Sequence, residues 1–245
     1  MNNPCNIWAI VPAAGIGRRM QSAIPKQYLK LLDRPVIEHS INRLLAVEQV
    51  SGVIVALQAD DPYWPEVVIR SEKPVLLAEG GKERCHSVMN ALEVLSRTPG
   101  YDAATTFVLV HDAVRPCVSI HDIQQLIAQA AGSESGGLLA MPVRDTLKRQ
   151  DNAQHVQTTV DRTGLWHALT PQLFGCDRLK TALSSALAEG FLVTDEASAM
   201  EHAGYHPLLV QGGEENIKIT RPADLRLSAL YLKSLSELTE TGDPT

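Results

Sequence analysis

The chain lacks three features that mark other classes of protein. No apolar run approaches the roughly 18 residues that a membrane helix needs, and the first residues, MNNPC, do not begin a basic segment followed by an apolar one. Neither a membrane span nor an export signal is therefore predicted. The four cysteines include no Cys-x-x-Cys pair, so neither a zinc knuckle nor a disulfide framework is indicated. We expect a cytoplasmic protein with no membrane partner.

An excess of positive charge is also missing. The 245 residues contain 22 Lys and Arg against 28 Asp and Glu, a net charge of −6. This balance argues against a broad basic face for polymeric nucleic acid, but it permits a local basic pocket for a nucleotide. The length suits one main body. We predict a single domain over residues 1–236, including a projecting arm at 142–165, and a flexible tail at 237–245.

Apolar runs alternate with segments of helical period along the chain. Strands are predicted near residues 7–11, 53–57, 75–78, 106–110, 138–143 and 208–210, and helices near 36–45, 85–95, 123–130, 179–187 and 225–235. Asp33 is the predicted N-cap of the first long helix, with Pro35 in its first turn. The alternation predicts βαβ units, and therefore an α/β fold with a Rossmann-like, mostly parallel sheet flanked by helices.

Residues 144–165 are too hydrophilic for a core segment, yet they include β-branched residues from Val156 to Val160. This composition predicts an extended hairpin that projects from the body as a β-arm. A two-stranded arm cannot bury a face by itself and commonly packs on a partner. We therefore expect a homodimer that forms through the arm.

A glycine-rich turn follows the first predicted strand, at residues 11–20 (VPAAGIGRRM). Glycines let backbone N–H groups approach an anion closely, and Arg18, Arg19 and Lys26 follow the turn. The pair Gly15 and Gly17 alone is a weak signal, because many strand-to-helix turns need glycine only for their geometry. Together with the cations, the turn indicates a polyphosphate site.

Two common polyphosphate sites do not fit this turn. The dinucleotide fingerprint needs a third glycine where the chain has Met20, and this argues against a nicotinamide oxidoreductase. A Walker A loop needs Gly-Lys-Ser or Gly-Lys-Thr, which does not follow the turn. Asp33 lies near the position of a ribose-binding acidic residue, but the predicted helix cap explains it better.

The turn and residues 25–27 (PKQ) resemble the signature of nucleotidylyltransferases that activate sugars. Five later motifs narrow the resemblance: 80–84 (GGKER), 111–116 (HDAVRP), 142–146 (PVRDT), 194–198 (TDEAS) and 216–222 (NIKITRP). Their order resembles that of the 2-C-methyl-D-erythritol 4-phosphate cytidylyltransferases of the non-mevalonate isoprenoid pathway, over about residues 7 to 232.

The resemblance implies a nucleotidyltransferase that makes 4-diphosphocytidyl-2-C-methyl-D-erythritol and pyrophosphate from CTP and methylerythritol phosphate, with Mg²⁺. The substrate phosphate attacks the α-phosphorus in line, so negative charge gathers there and on the departing pyrophosphate. Arg19 and Lys26 are our candidates for stabilising this transition state. His111 is assigned to packing or hydrogen bonding, because an ionised phosphate needs no general base.

The resemblance also implies binding residues. The nucleotide is expected to contact Pro12, Ala13, Ala14, Gly15, Gly17, Gly81, Lys82, Ser87, Asp112 and Ala113. The methylerythritol phosphate is expected to contact Asp112, Arg115, Thr146, Arg162, Thr194 and Lys218, with Arg162 reaching across from the partner's arm and both Arg162 and Lys218 guiding the attack. Lys82 stands where the family more often has an acidic or small residue.

Asp112 follows a buried predicted strand, and a carboxylate at a strand end commonly holds Mg²⁺ or substrate. We therefore predict Asp112 as the metal ligand. Two other functions stay open at this point. One is a cytidylyltransferase for another polyol phosphate, such as ribitol 5-phosphate, and the other is a non-catalytic nucleotide-binding protein.

Overall fold

The computed structural model describes residues 6–15 and 24–241, and within these residues a seven-stranded sheet forms the centre of the fold. The strands are β1 (Asn6–Pro12), β2 (Lys30–Leu31), β3 (Arg34–Pro35), β4 (Val50–Leu57), β5 (Val75–Glu79), β6 (Thr106–Val110), β7 (Gly137–Pro142), β8 (Leu147–Gln150), β9 (Val156–Val160), β10 (Trp166–Gly175) and β11 (Leu208–Gln211). The helices are α1 (Val36–Leu45), α2 (Arg84–Ser96), α3 (Ile120–Ala130), α4 (Cys176–Ala188), α5 (Glu196–His202) and α6 (Pro222–Thr241).

The main sheet has the strand order β11-β7-β10-β6-β1-β4-β5. β1 pairs in parallel with β4 and β6, β4 with β5, and β7 with β11, whereas β10 runs antiparallel to β6 and β7. The predicted Rossmann-like, mostly parallel sheet is confirmed. The chain continues from β1 to β4 on one side and later to β6 on the other, so a crevice opens at the carboxyl ends of β1 and β6.

Alternate residues of β1 face two helical layers. Ile7, Ala9 and Val11 pack with α1 and α3, whereas Trp8 and Ile10 pack with α2, α4 and α5. Strands that are covered on both faces appear in a sequence as continuous apolar runs. This burial explains why the apolar runs predict the parallel strands well.

The predicted cap of α1 is wrong. Pro35, not Asp33, occupies the N-cap position, and the helix begins at Val36. Arg34 and Pro35 form β3, which pairs with β2, so Asp33 lies in the turn that joins these two short strands. The local ladder takes up the residues that would otherwise form the first turn of the helix.

Three other elements depart from the prediction. β10 and α5 were not predicted as regular elements, and α6 continues to Thr241. The predicted tail at 237–245 is thus helical over 237–241, and residues 242–245 lie outside the described chain. Among the described residues, none of the helices combines the length and the hydrophobicity that a membrane span requires.

The predicted hairpin between β7 and β10 is confirmed. β8 and β9 form their own antiparallel ladder, with Leu147 opposite Val160, and a hydrogen bond of 2.9 Å from the Val143 amide to the Leu165 oxygen closes its base. Most of its side chains are exposed, including Val156. The hairpin therefore projects from the body, while its role in dimerisation stays a prediction.

Candidate active site

Two loops meet at the crevice of the sheet, residues 13–15 after β1 and residues 111–115 after β6. The first loop is braced by Gln27, whose side chain is 4% exposed. Its Nε2 donates to the carbonyl oxygens of Ala13 at 2.6 Å and of Gly15 at 3.1 Å. A buried amide that bridges two carbonyl groups holds the loop backbone in one conformation.

The turn between β5 and α2 forms another wall of the crevice. The Gly81 amide donates to the Ser87 Oγ over 3.0 Å, and this hydroxyl lies 3.4 Å from the Glu83 carbonyl oxygen. A Cβ at Gly81 would overlap the His86 side chain and lie 2.9 Å from the His86 carbonyl carbon. Position 81 therefore requires glycine, and Ser87 holds the turn while it faces the crevice.

The Asp112 carboxylate forms ion pairs with side chains from three parts of the chain. Its Oδ1 lies 3.0 Å from the Arg84 Nε, and its Oδ2 lies 2.7 Å from the Lys218 Nζ and 3.6 Å from the Arg115 Nε. Burial acts to raise the pKa of the Asp112 carboxyl, but Arg84, Lys218 and Arg115 outweigh it and hold that pKa below its usual range. Asp112 is therefore a carboxylate at neutral pH.

Arg84 connects Asp112 to a second buried carboxylate. Its Nη1 lies 2.6 Å from the Oε1 of Glu196, whose side chain is 0% exposed. Burial acts to lower the pKa of the Arg84 guanidinium, but the two carboxylates outweigh it and raise that pKa. Arg84 thus stays charged between Glu196 and Asp112.

His111 is fully buried behind Asp112. The Asp112 amide donates to the Thr170 Oγ1 over 3.1 Å, and that oxygen lies 3.1 Å from the His111 Nδ1, while the His111 Nε2 lies 3.0 Å from the Arg115 carbonyl oxygen. These contacts assign the proton to Nε2, which donates to Arg115, and leave Nδ1 to accept from Thr170. Burial lowers the pKa of His111 to about 4, so a neutral imidazole orients the backbone here, in agreement with the predicted packing role.

The crevice divides into two adjoining pockets. The first brings together nine of the ten predicted nucleotide residues, Pro12, Ala13, Ala14, Gly15, Gly81, Lys82, Ser87, Asp112 and Ala113. Lys26 and Lys218, which are predicted to act in catalysis, line the same pocket. Among its described lining residues are four cations, Lys26, Lys82, Arg84 and Lys218, against the carboxylates of Glu83 and Asp112. A chain with a net negative charge thus presents a locally positive pocket, which suits a polyphosphate.

The second pocket contains four of the predicted substrate residues, Asp112, Arg115, Thr194 and Lys218. Arg84, Asp112 and Lys218 line both pockets and form the wall between them. Thr194 is exposed and immediately precedes Asp195, the N-cap of α5. Asp195 and Ser198 form a capping box at the start of this helix.

Two predicted substrate residues are not brought to these pockets. Thr146 and Arg162 are exposed on the arm, and within the described chain neither lines the first or the second pocket. Gly17 and Arg19 lie outside the described residues, so the structure does not place them.

Four residues organise the site although no sequence pattern predicts a role for them: Gln27, Arg84, Gln172 and Glu196. Three of them stand inside the quoted motifs, so the signal was present but their partners were not visible in it. Gln172 lies on β10, which was not predicted. Its Nε2 donates to the Asp195 Oδ2 and its Oε1 accepts from the Ala197 amide, both over 2.8 Å.

The predicted role of Asp112 as an Mg²⁺ ligand does not fit this arrangement. Both carboxylate oxygens already contact cations, so a divalent ion here would lie beside three positive charges. Another group, Glu83, Cys85 and His86, brings three ligand atoms within 4.8 Å. Its thiol and imidazole suit softer metals than Mg²⁺, which prefers oxygen ligands. We therefore interpret Asp112 as the ion-pair partner of Arg84, Arg115 and Lys218.

The chain matches a protein family over nearly its whole length. The family model for 2-C-methyl-D-erythritol 4-phosphate cytidylyltransferase matches residues 7–234. A protein of that name from Vibrio vulnificus (strain YJ016) is 50% identical over 224 residues, which cover 91% of this chain and 93% of that protein. One from Aliivibrio fischeri is 45% identical over 240 residues, covering 98% and 99%.

Solved structures agree with this result. A crystal structure of 4-diphosphocytidyl-2C-methyl-D-erythritol synthase superposes with a TM-score of 0.81 at 36% identity, covering 93% of this chain and 99% of that one. A 2-C-methyl-D-erythritol 4-phosphate cytidylyltransferase from Francisella tularensis gives a TM-score of 0.78 at 33% identity, covering 92% and 99%. This chain belongs to the 2-C-methyl-D-erythritol 4-phosphate cytidylyltransferase family.

Proposed function

We propose that the chain transfers the cytidylyl group of CTP to 2-C-methyl-D-erythritol 4-phosphate and releases pyrophosphate. The observation that carries this proposal is the wall of Arg84, Asp112 and Lys218 between two adjoining pockets. A transfer between two phosphates needs two sites that share one boundary, because the attacking oxygen must reach the α-phosphorus directly. The positive first pocket suits the triphosphate, and the second suits the polyol phosphate.

The reaction proceeds by in-line attack. An oxygen of the substrate phosphate forms a bond to the α-phosphorus, and the bond from this phosphorus to the bridging oxygen breaks as pyrophosphate leaves with the electron pair. Lys218 stands between the pockets and reduces the repulsion between the two phosphates. Lys26 stabilises the charge on the α-phosphoryl group and the leaving group, together with Arg19 as predicted from the sequence.

Nucleotide selection uses the backbone and small side chains of the first pocket. Ala13, Ala14 and the turn at Gly81 leave space for a flat base, and the main-chain groups at Lys82 supply hydrogen bonds to its edge. Lys82 itself is exposed, so base recognition does not depend on an acidic side chain there. Asp112 and Arg115 orient the substrate hydroxyl groups from the second pocket.

The arm completes the second pocket in a homodimer. Thr146 and Arg162 are exposed on it, and among the described residues they line neither pocket of their own chain. A partner's arm supplies Arg162 to the polyol phosphate. Apolar side chains at the base of the arm, Leu165 and Trp166, are exposed in the single chain, as expected of a surface that a partner covers.

Mg²⁺ is proposed as the cofactor on the strength of the resemblance. Triphosphate oxygens suit this ion, and we assign it to no side chain.

A cytoplasmic location is proposed because Cys85, Cys117 and Cys176 are buried as free thiols, which is typical of a reducing compartment.

The test is pyrophosphate release from CTP and Mg²⁺, with methylerythritol phosphate and ribitol 5-phosphate assayed separately. We expect release with the methylerythritol compound and its loss after chelation of the metal. Release with ribitol 5-phosphate alone would contradict the substrate assignment, and CTP binding without release from either compound would indicate a non-catalytic protein.

A further inference from the structure

The Glu196 carboxyl group lies deep in the protein, where burial raises its pKa and the ion pair with Arg84 opposes that shift. It lies at the start of α5, and its Oε1 contacts the Arg84 Nη1. Removing a carboxylate from water is costly unless a cation pairs with it. Within the described chain, Glu196 lines neither pocket, so direct contact with substrate does not explain this buried acidic group.

Arg84 joins this buried acidic group to the wall between the pockets. The guanidinium uses Nη1 toward Glu196 and Nε toward Asp112. Because a guanidinium is planar and rigid, fixing one edge against Glu196 sets the direction of the other edge. A lysine ammonium has no second edge and would not hold two carboxylates in fixed directions.

The contacts form a series of alternating charge. It runs from Glu196 to Arg84, then to Asp112, and ends at the Lys218 Nζ, 2.7 Å from the Asp112 Oδ2. The last three members line both pockets, while Glu196 supports them from the interior. Each member contacts the next, so Arg84 and Asp112 connect the Lys218 ammonium to Glu196, which it does not contact itself.

The far end of the series is anchored to the sheet. Gln172 of β10 binds both sides of the start of α5, through Asp195 and through the Ala197 amide. The Asp195 side chain also caps α5 by accepting from the Ser198 amide at 2.9 Å. Glu196 is therefore held by a helix terminus that the sheet itself positions.

We propose that Glu196 and Arg84 are positioning residues, which hold Asp112 and thereby place Lys218 between the reacting phosphates. The proposal rests on the proposed cytidylyl transfer. Without the Glu196 charge, Arg84 pairs with Asp112 alone and draws this carboxylate away from Lys218. The ammonium is then displaced from its place between the phosphates, which slows the chemical step more than it weakens nucleotide binding.

The first variants are Glu196→Gln, which keeps the size of the side chain and removes its charge, and Arg84→Lys, which keeps the charge and removes the second edge. The controls are Glu93→Gln, on the same helix as Arg84, and Arg97→Lys, at the C-cap of that helix. Glu93 forms an ion pair of similar length at the surface, 2.7 Å from Lys180, and the Arg97 side chain is exposed. Both controls lie outside the site.

The measurements are kcat and KM from pyrophosphate release, and CTP affinity from calorimetry. We expect kcat to fall about 100-fold in Glu196→Gln and Arg84→Lys, as a displaced catalytic group allows, with CTP affinity within about threefold. The controls should stay within about twofold of the unmodified chain. Glu196→Asp, which retains the charge, should recover part of the lost kcat if Glu196→Gln folds poorly.

A double-mutant cycle separates positioning from a merely structural role. In a Lys218→Met background, Glu196→Gln should cost less than about threefold in kcat, because its effect passes through a side chain that is already absent. The same 100-fold loss in both backgrounds would overturn the proposal. The proposal would also be overturned if the unmodified chain is active and the Glu196→Gln and Arg84→Lys variants have the same kcat. An unmodified chain that releases no pyrophosphate would remove the proposed function, and this proposal with it.

Discussion

The Lys26 ammonium donates a hydrogen bond of 3.1 Å to the main-chain oxygen of Ile219, although 193 residues separate them in sequence. This contact joins the segment that braces the glycine-rich loop to the segment that carries Lys218. Lys26 and Lys218, the two cations that we place at the reacting phosphates, thus lie on segments that contact each other. Their positions are set by contacts between distant parts of the chain.

Replacing Lys26 by methionine should lower kcat by about 100- to 1,000-fold, because a preorganised cation at the transition state is worth a few kcal/mol. Lys30→Met is the matched control, since Lys30 is exposed four residues away and outside both pockets of the described chain. Both variants should show the same thermal unfolding midpoint as the unmodified chain. A near-normal kcat for Lys26→Met would contradict the catalytic role of Lys26.

Replacing Gln27 by leucine should loosen the loop after β1. The carbonyl groups of Ala13 and Gly15 lose a buried donor, which costs about 1–3 kcal/mol in stability, and the KM for CTP should rise while the KM for the polyol phosphate stays constant. The comparison is Gln129→Leu on the exposed side of α3. Equal increases in both KM values would show that Gln27 does not act on the nucleotide loop specifically.

Stability should fall as the pH drops from about 6.5 toward 4. The folded pKa of His111 is lowered to about 4, so the unfolded chain binds the additional proton in this interval and is favoured as the pH falls. The loss from this residue is at most on the order of 3 kcal/mol. Urea unfolding at pH 7, 6, 5 and 4.5 measures it.

The corresponding variant, His111→Gln, should be less stable at neutral pH but should lose less stability on acidification. His155→Gln, at the exposed tip of the arm, is the control for the substitution itself. Asp112 affects stability in a different pH interval. Its folded pKa is lowered, so its contribution to stability is complete above the unfolded pKa near 3.8 and is lost as the pH falls below that value. A pH profile between 7 and 4.5 that His111→Gln does not alter would contradict the His111 assignment.

If the arm supplies Arg162 to its partner, then inactive variants should complement each other. Arg162→Ala and Lys26→Ala subunits, each with little activity alone, should regain part of it when mixed, because one of the two sites in a heterodimer is intact. Size measurement at micromolar concentration should give twice the mass of the single chain. A monomeric mass, or no recovery in verified heterodimers, would contradict sharing in trans.

The sequence predicts the parallel part of the sheet well because β1, β4 and β6 are covered on both faces, so their burial is visible as apolar runs. β10 is different. It is interrupted at residues 168–172 by a register shift and contains Pro171, so no simple periodicity marks it. It nevertheless lies between β6 and β7 and supplies Gln172 and Thr170 to the site.

The motifs in the sequence were sufficient for the fold class, the family resemblance and most of the pocket residues, since strand ends and glycine turns are local properties of the chain. The same local reasoning placed Asp112 at the site but assigned it a metal. Only the tertiary structure brings Arg84, Arg115 and Lys218 to this carboxylate, from α2, the loop after β6 and the segment before α6. A charge network depends on distances between segments that are far apart in sequence, and those distances are decided when the sheet and its helices pack together.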